Sequence, residues 1–458
     1  MSFIDDVNRD YETILRETDP GAQMRTLIEG MKANKMEMEG KPFPTFLKPY
    51  FVNQAHRDRI AYSTRMMLRC IEKVGKAFME GYDFQGLVHQ DGLIADLSKV
   101  DPVYPRFQVM VRLDVFYDPH TADIKYLEFN CGDPSGMGWH DAMLDIFLGL
   151  PAVKKMGEKY AVKDDHLLET HHDAMIKVYR EWCEGKGVTP KDKPTFAIVC
   201  WKGSTILSDV EIIVDFYRNK GYPTVYADPA DFSYDGKQVK VGDQVIDAVY
   251  RDAITDFLDD KFLPNCQDIL QAYREENICF VNPVRAATGD FKTLPGILID
   301  PRFKELFTAE ELEAAHAFIP WTRMFAEEKA DFKGKEVDLV PFVRERKDDF
   351  VIKKNEGYGG FGVIIGRDAT ASEWDKAIET ALAPGNEYAV QEFVDIPQDA
   401  FPVMEGETLK GFEQKNVNIN FWSHGGEFAG AFLRASTGNI INVHQGGGLV
   451  PVLFVDKK

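Results

Sequence analysis

What this chain lacks narrows its possibilities before any motif is read. Its six cysteines, Cys70, Cys131, Cys183, Cys200, Cys266 and Cys279, form no C-x-x-C pair and no disulfide-like spacing, so a reducing cytoplasm fits better than an oxidised secreted scaffold. No apolar run approaches the roughly eighteen residues that a membrane span needs. The first residues, MSFIDDVNRDYE, lack the basic and apolar segments of an export signal. Positive charge is in deficit: 54 Lys and Arg stand against 74 Asp and Glu, a net charge of -20. That balance argues against nucleic acid or an anionic membrane as the main partner. There is no repeat, no low-complexity segment and no phosphate loop ending in G-K-[ST]. His166 and His172 stand six apart on a helical pattern, which is not a metal-binding spacing.

What is present suffices for large cores, with 44% hydrophobic and 12% aromatic residues in 458, enough for about three domain-sized units or one composite enzyme fold. Residues 1 to 95 read as helical: Met67, Ile71 and Val74 fall at helical spacing and Gly81 closes that segment. From Pro194 to Pro283 strands and helices alternate as a compact α/β unit, with a turn at Tyr234 to Lys237 and a strand ending at Arg251. Arg251 is either a substrate cation or one half of a surface ion pair. Gly185 to Pro194 and Asp331 to Pro341 read as linkers.

The most informative stretch is Val111 to Gly138. Arg112 and Asp114 share one face of a strand while Val111, Leu113 and Val115 point into a core. After a turn at Asp118-Pro119-His120, Glu128 and Asn130 share one face and Leu127 and Phe129 the other. The hairpin thus presents Arg, Asp, Glu and Asn together, which suits a magnesium-dependent phosphate site: Mg²⁺ takes hard oxygen ligands and keeps one or two carboxylates plus nucleotide phosphates. Asp114, Glu128 and the Asn130 amide oxygen can be those ligands, and Arg112 can neutralise charge on a transferred phosphoryl group. In the loop Asp133 to Gly138, Ser135 either donates to a substrate anion or belongs to a plain turn. Cys131 has no paired His and reads as a buried, inert thiol.

Further on, a strand with Val351 and Lys353 on one face leads into Gly357-Tyr358-Gly359-Gly360-Phe361-Gly362, then into Val363-Ile364-Ile365. Glycines between two strands make a flap whose N–H groups can fold over phosphates. Gln391-Glu392-Phe393-Val394 can hinge past an adenine ring, or form an edge strand. A final hairpin turns at Ser423 to Gly426 and carries Arg434, which can clamp an acyl phosphate bidentately, ahead of Gly446 to Gly448.

Lysine and glycine flap, then QEFV, then arginine before a GGG turn resembles the large-lobe motif order of the ATP-grasp superfamily. R-x-D followed by E-x-N resembles its magnesium end. Here the magnesium end precedes the flap, so the chain resembles the circularly permuted branch that holds the synthetase domain of glutathionylspermidine synthase and eukaryotic glutathione synthetase, over most of residues 42 to 455. The resemblance implies an α+β, circularly permuted ATP-grasp fold with an inserted α/β domain: an N-terminal helical region at 1–95, the magnesium half at 96–190, the α/β substrate domain at 191–290 and the nucleotide lobe at 291–458. It implies ATP and Mg²⁺, with Asp114, Glu128 and Asn130 as metal ligands and Arg112 and Arg434 as catalytic cations. Lys353, Lys292, the flap residues Gly357, Tyr358, Gly359, Gly360 and Gly362, and the hinge Gln391, Glu392, Phe393 and Val394 would hold the nucleotide. Lys354 departs from the pattern, which often has Pro there. The implied reaction is ligation of a small-molecule or peptide carboxylate to an amine through an acyl phosphate, in the cytoplasm, with a homodimer left open. A kinase or phosphohydrolase, or a non-catalytic nucleotide-binding protein, would use the same scaffold.

Overall fold

The computed structural model describes residues 2–38, 41–88, 90, 92–251, 263–357, 360–441 and 447–458. Its centre is an eight-stranded mixed sheet. Its main path runs Tyr50–Asn53, Gly448–Lys457, Glu427–Ser436, Thr408–His424, Met110–Tyr117 and Ile124–Asn130; Gln398–Glu405 and Tyr160–Lys163 add to it off this path. All neighbours are antiparallel except Tyr50–Asn53, which runs parallel to the last strand. The first 95 residues are therefore not all helical. Between the helices Phe3–Glu17, Pro20–Ala33 and Arg57–Met79, the apolar run Tyr50-Phe51-Val52 is spent on closing the sheet.

Alternation along Met110–Tyr117 decides which face is which. Val111, Leu113 and Val115 are buried, and the helix Arg57–Met79 lies over that face, where Ser63 Oγ and the Tyr126 hydroxyl bond at 2.8 Å. Met67, Ile71 and Val74 are buried along this helix, as their spacing predicts. The opposite face carries Arg112 and Asp114.

The α/β unit is a four-stranded parallel sheet ordered Cys279–Val281, Ala248–Arg251, Phe196–Val199, Thr224–Ala227, with Leu207–Asn219 and Gln267–Arg274 as its helices. Asn282 stitches it to the hairpin. Its Oδ1 accepts the N–H groups of Val109 and Met110, and its Nδ2 donates to the carbonyls of Met110, Cys131 and Gly132.

The remaining lobe is a four-stranded antiparallel sheet ordered Thr322–Met324, Tyr388–Glu392, Phe350–Lys354, Val363–Ile365. It packs its own core of Trp321, Leu339, Phe350, Ile352, Trp374 and Val390. Asp331 to Pro341 is not a linker: Lys329–Phe332 and Lys335–Asp338 pair as a hairpin that runs into the helix Leu339–Glu345. Phe332 packs on Trp321 and Phe350, so burial of that ring holds the segment to the lobe. Among the described residues no helix is long and apolar enough to cross a membrane.

Candidate functional site

Antiparallel pairing sets Asp114 opposite Glu128 and Arg112 opposite Asn130. On the other side, Asn420 of strand Thr408–His424 stands opposite Asp114, and Asn418 stands opposite Arg434 of the next strand. Four strands thus converge on one charged patch. Arg434 donates from a terminal nitrogen to Asp114 Oδ2 at 2.5 Å and from Nε to Asn420 Oδ1 at 2.8 Å. Arg112 Nε and Asn130 Nδ2 donate to Asp114 Oδ1 at 3.2 and 3.3 Å. Lys292 Nζ is 3.4 Å from Glu128 Oε2.

Burial raises the Glu128 carboxyl, but Lys292, Lys353, Arg434 and Arg112 outweigh it and bring the group down to about 2. Glu128 is therefore ionised at neutral pH. Burial lowers the Arg434 guanidinium from its ordinary value, with Asp114 opposing.

The hairpin is not regular, and the irregularity joins the two halves of the site. Asp114 pairs with Glu128 but Val115 pairs with Tyr126, leaving Leu127 as the extra residue of a bulge. Alternation alone puts Leu127 on the face opposite Glu128. The bulge instead brings both to the wall of one cleft and frees the Leu127 carbonyl, which accepts from Lys353 Nζ at 3.2 Å.

That cleft, about 790 Å³ of atom-free space including its open mouth, lies between the large sheet and the smaller one. On its walls are Asp114, Glu128, Lys353, Gly360, Asn418 and Arg434, together with apolar Val351, Ile365, Phe393 and Ile396. A flat apolar body and an anionic tail fit those two kinds of wall. Lys353 and Gln391 reach it from neighbouring strands.

Gln391 lines the cleft with its side chain committed inside the fold. Its side chain is buried and accepts from Lys353 Nζ at 2.7 Å, while its Nε2 donates to Thr322 Oγ1 at 3.0 Å. The hinge amides are also partly committed: Glu392 N–H donates to the Trp321 carbonyl and Phe393 N–H to that of Asp349, both at 2.7 Å. The Val394 N–H has no partner among the described residues. In the flap, Gly360 and Gly362 adopt φ of +77° and +75°, a region in which side chains are strained; Gly357 packs against the carbonyls of Lys354 and Phe361. Tyr358, Gly359 and Gly446 lie outside the described residues.

Ser135 and Arg251 stand apart from this cleft. The Ser135 carbonyl accepts from Arg112 at 3.0 Å. Arg251 is no surface ion pair: it is 1% exposed and donates to the carbonyls of Asn282 and Pro283. Cys131 is buried, and burial together with Asp290 pushes its thiol well up, as expected of an inert group. A second cavity, on the sheet's other face beneath Arg57–Met79, carries none of the predicted residues, and two of its three arginines meet carboxylates: Arg106 pairs with Glu181 and Arg65 with Glu427.

Sequence reasoning missed Asn418 and Asn420. The signal was there, since Val417-Asn-Ile-Asn-Phe421 alternates amides with apolar residues, but an amide on a strand face means nothing until its partner is known. Among the described residues no three or more His, Cys, Asp or Glu are grouped as a metal cage. Two carboxylates and an amide oxygen still fit Mg²⁺, which draws its other ligands from phosphates and water.

No family model and no curated protein matches the chain. Among solved structures it is similar to a glutathione synthetase-like effector from Globodera pallida in its apo form, with a TM-score of 0.62, 11% identity, and 94% of this chain and 96% of that one covered. This likeness shows the fold. A putative gamma-glutamylcysteine synthetase from Methylobacillus flagellatus reaches a TM-score of 0.40 at 12% identity, covering 85% and 88%. A RimK-domain ATP-grasp protein from Sphaerobacter thermophilus reaches 0.28 at 17% identity, covering 57% and 90%. These two superpose too loosely to bear on the fold.

Proposed function

We propose that the chain is an ATP- and magnesium-dependent carboxylate-amine ligase of the circularly permuted ATP-grasp kind, similar to glutathionylspermidine synthase, acting in the cytoplasm on a small-molecule or peptide acid and an amine. The observation that carries this reading is the grouping of Asp114, Glu128, Lys353 and Arg434 on one cleft, with Arg112 and Lys292 against its carboxylates.

Chemistry of this type needs positioning and charge neutralisation more than it needs a reactive side chain. Lys353, and Lys292 beside Glu128, hold phosphate oxygens while the glycine flap covers them and excludes water. Asp114, Glu128 and Asn130 would hold Mg²⁺, which when bound offsets phosphate charge. A substrate carboxylate oxygen bonds to the γ-phosphorus as the bond to ADP breaks. The amine nitrogen then attacks the acyl carbon, phosphate leaves and the nitrogen gives up a proton. Arg112 and Arg434 neutralise the anion that each step builds.

The test is ADP release with MgATP and pools of amino acids, small peptides and polyamines. Release that needs both an acid and an amine, and that falls at least 100-fold in Asp114→Ala and Glu128→Ala, is the expected result. Release from ATP alone or with the acid alone would replace the ligase with a phosphohydrolase or kinase.

A further inference from the structure

Arg434 is held by a series of amides that no motif announced. Its Nε donates to Asn420 Oδ1 at 2.8 Å, Asn420 Nδ2 donates to Asn418 Oδ1 at 2.7 Å, and Asn418 Nδ2 donates to the Val115 carbonyl at 3.1 Å. Asn420 is fully buried, and Asn418, Arg434 and Asp114 are nearly so. Val115 is the residue at which the ladder slips past Leu127, so the series ends at the bulge that also positions Lys353. We propose that Asn420 is a positioning residue of Arg434, fixing the guanidinium through Nε while one terminal nitrogen holds Asp114, so that the remaining outer N–H groups face the reacting anion, with Asn418 holding Asn420 in turn. This rests on the ligase reading for what Arg434 does, but not for how Arg434 is held.

The chemistry of the two groups explains why an amide stands there. Residue 420 is the cross-strand neighbour of Asp114, so a carboxylate would set two anions side by side and spend the charge that Arg434 brings to the site. An amide accepts the Nε hydrogen bond and leaves that charge intact. Its second group needs an acceptor in a buried place, which Asn418 Oδ1 supplies. Asn418 and Arg434 both line the cleft, so the chain of bonds joins two points of its wall through the buried Asn420.

The role predicts coupling. Asn420→Ala lowers kcat/KM for MgATP with saturating acid and amine about 10- to 100-fold, and adds nothing further in an Arg434→Ala background; multiplication of the two effects in the double variant would overturn the proposal, because independent or merely structural contributions multiply. A second measurement needs no activity. In ¹⁵N-arginine-labelled protein the Arg434 Nε–H, assigned through Arg434→Lys, exchanges slowly in the wild type, is lost in Asn420→Ala and returns in Asn420→Asp, which keeps the acceptor. Asn420→Asp restores the resonance yet binds MgATP more weakly than the wild type. A wild type that makes no ADP while the resonance behaves as stated fails the ligase reading alone; a resonance indifferent to residue 420 fails the positioning role alone.

Discussion

Lys353 donates to the Gln391 side chain and the Leu127 carbonyl from a nearly dry position. Burial brings its ammonium down to about 8, with Glu128 and Asp114 opposing and Lys292 adding to the shift. Above that pH the folded protein loses the charge that the proposed phosphate binding needs. The Kd for MgATP should therefore be level from pH 6.5 to 7.5 and rise toward tenfold per unit above about 8, measured by calorimetry in a buffer series. Gln391→Glu sharpens this. A carboxylate in place of Oε1 favours the charged lysine, so the rise moves to higher pH while phosphate affinity at pH 7 weakens, because the new anion competes for the cation. A rise that stays where it was would show that Lys353 is not the titrating group.

Strands and turns divide what the sequence shows from what it hides. The Arg112–Asp114 and Glu128–Asn130 pairs were legible because a two-residue period leaves no choice of face, and the pairing of Phe350–Lys354 with Val363–Ile365 was legible because a glycine-rich stretch separates two apolar runs. Leu127 was not legible: a bulge spends one residue of the period, and nothing local marks the slip between Asp114 and Val115. The same holds for Gln391 and Asn420, whose partners Lys353 and Arg434 arrive from strands 38 and 14 residues away. Apolar Tyr50 to Val52 could not be told from a buried helix segment by pattern alone.

The flap offers a test at this scale. Gly362→Ala places a Cβ 3.0 Å from that of Lys354 at a φ of +75°. A strain of about 1–2 kcal/mol follows, borne by the conformation that the proposed reaction needs over the nucleotide. The KM for MgATP should rise about 5- to 30-fold with the thermal midpoint unchanged, since the flap lies outside the lobe's core.

Across the whole molecule, two sets of buried groups titrate against each other. Burial lowers His140 to about 4, His424 to about 3 and His171 well below its ordinary value. The unfolded chain takes up these protons near pH 6.5 and the folded one does not, so each costs stability as pH falls below 6.5, at about 1.4 kcal/mol per unit. Burial raises Asp141 and Asp290 to about 7 and Asp209 to about 6. Each of these keeps a proton that the unfolded chain releases above 3.8, so its stabilisation is full below that value and is lost as pH rises toward 6 or 7. Between pH 6 and 4 the two sets oppose each other, the histidines losing stability and the aspartates gaining it as the pH falls. Removing one histidine unbalances them. His424 Nδ1 bonds Thr170 Oγ1 at 2.7 Å, its Nε2 has no partner among the described residues, and its ring lies 5.8 Å from that of His171. His424→Gln can keep the Thr170 bond without the proton site. Urea midpoints converted to free energy should show the variant gaining on the wild type by about 1.4 kcal/mol for each unit of acidification from pH 6 to 4. A constant difference between the two curves over that range would mean that His424 takes up its proton equally in both states, and that the balance of buried charge is not what holds this sheet at mildly acid pH.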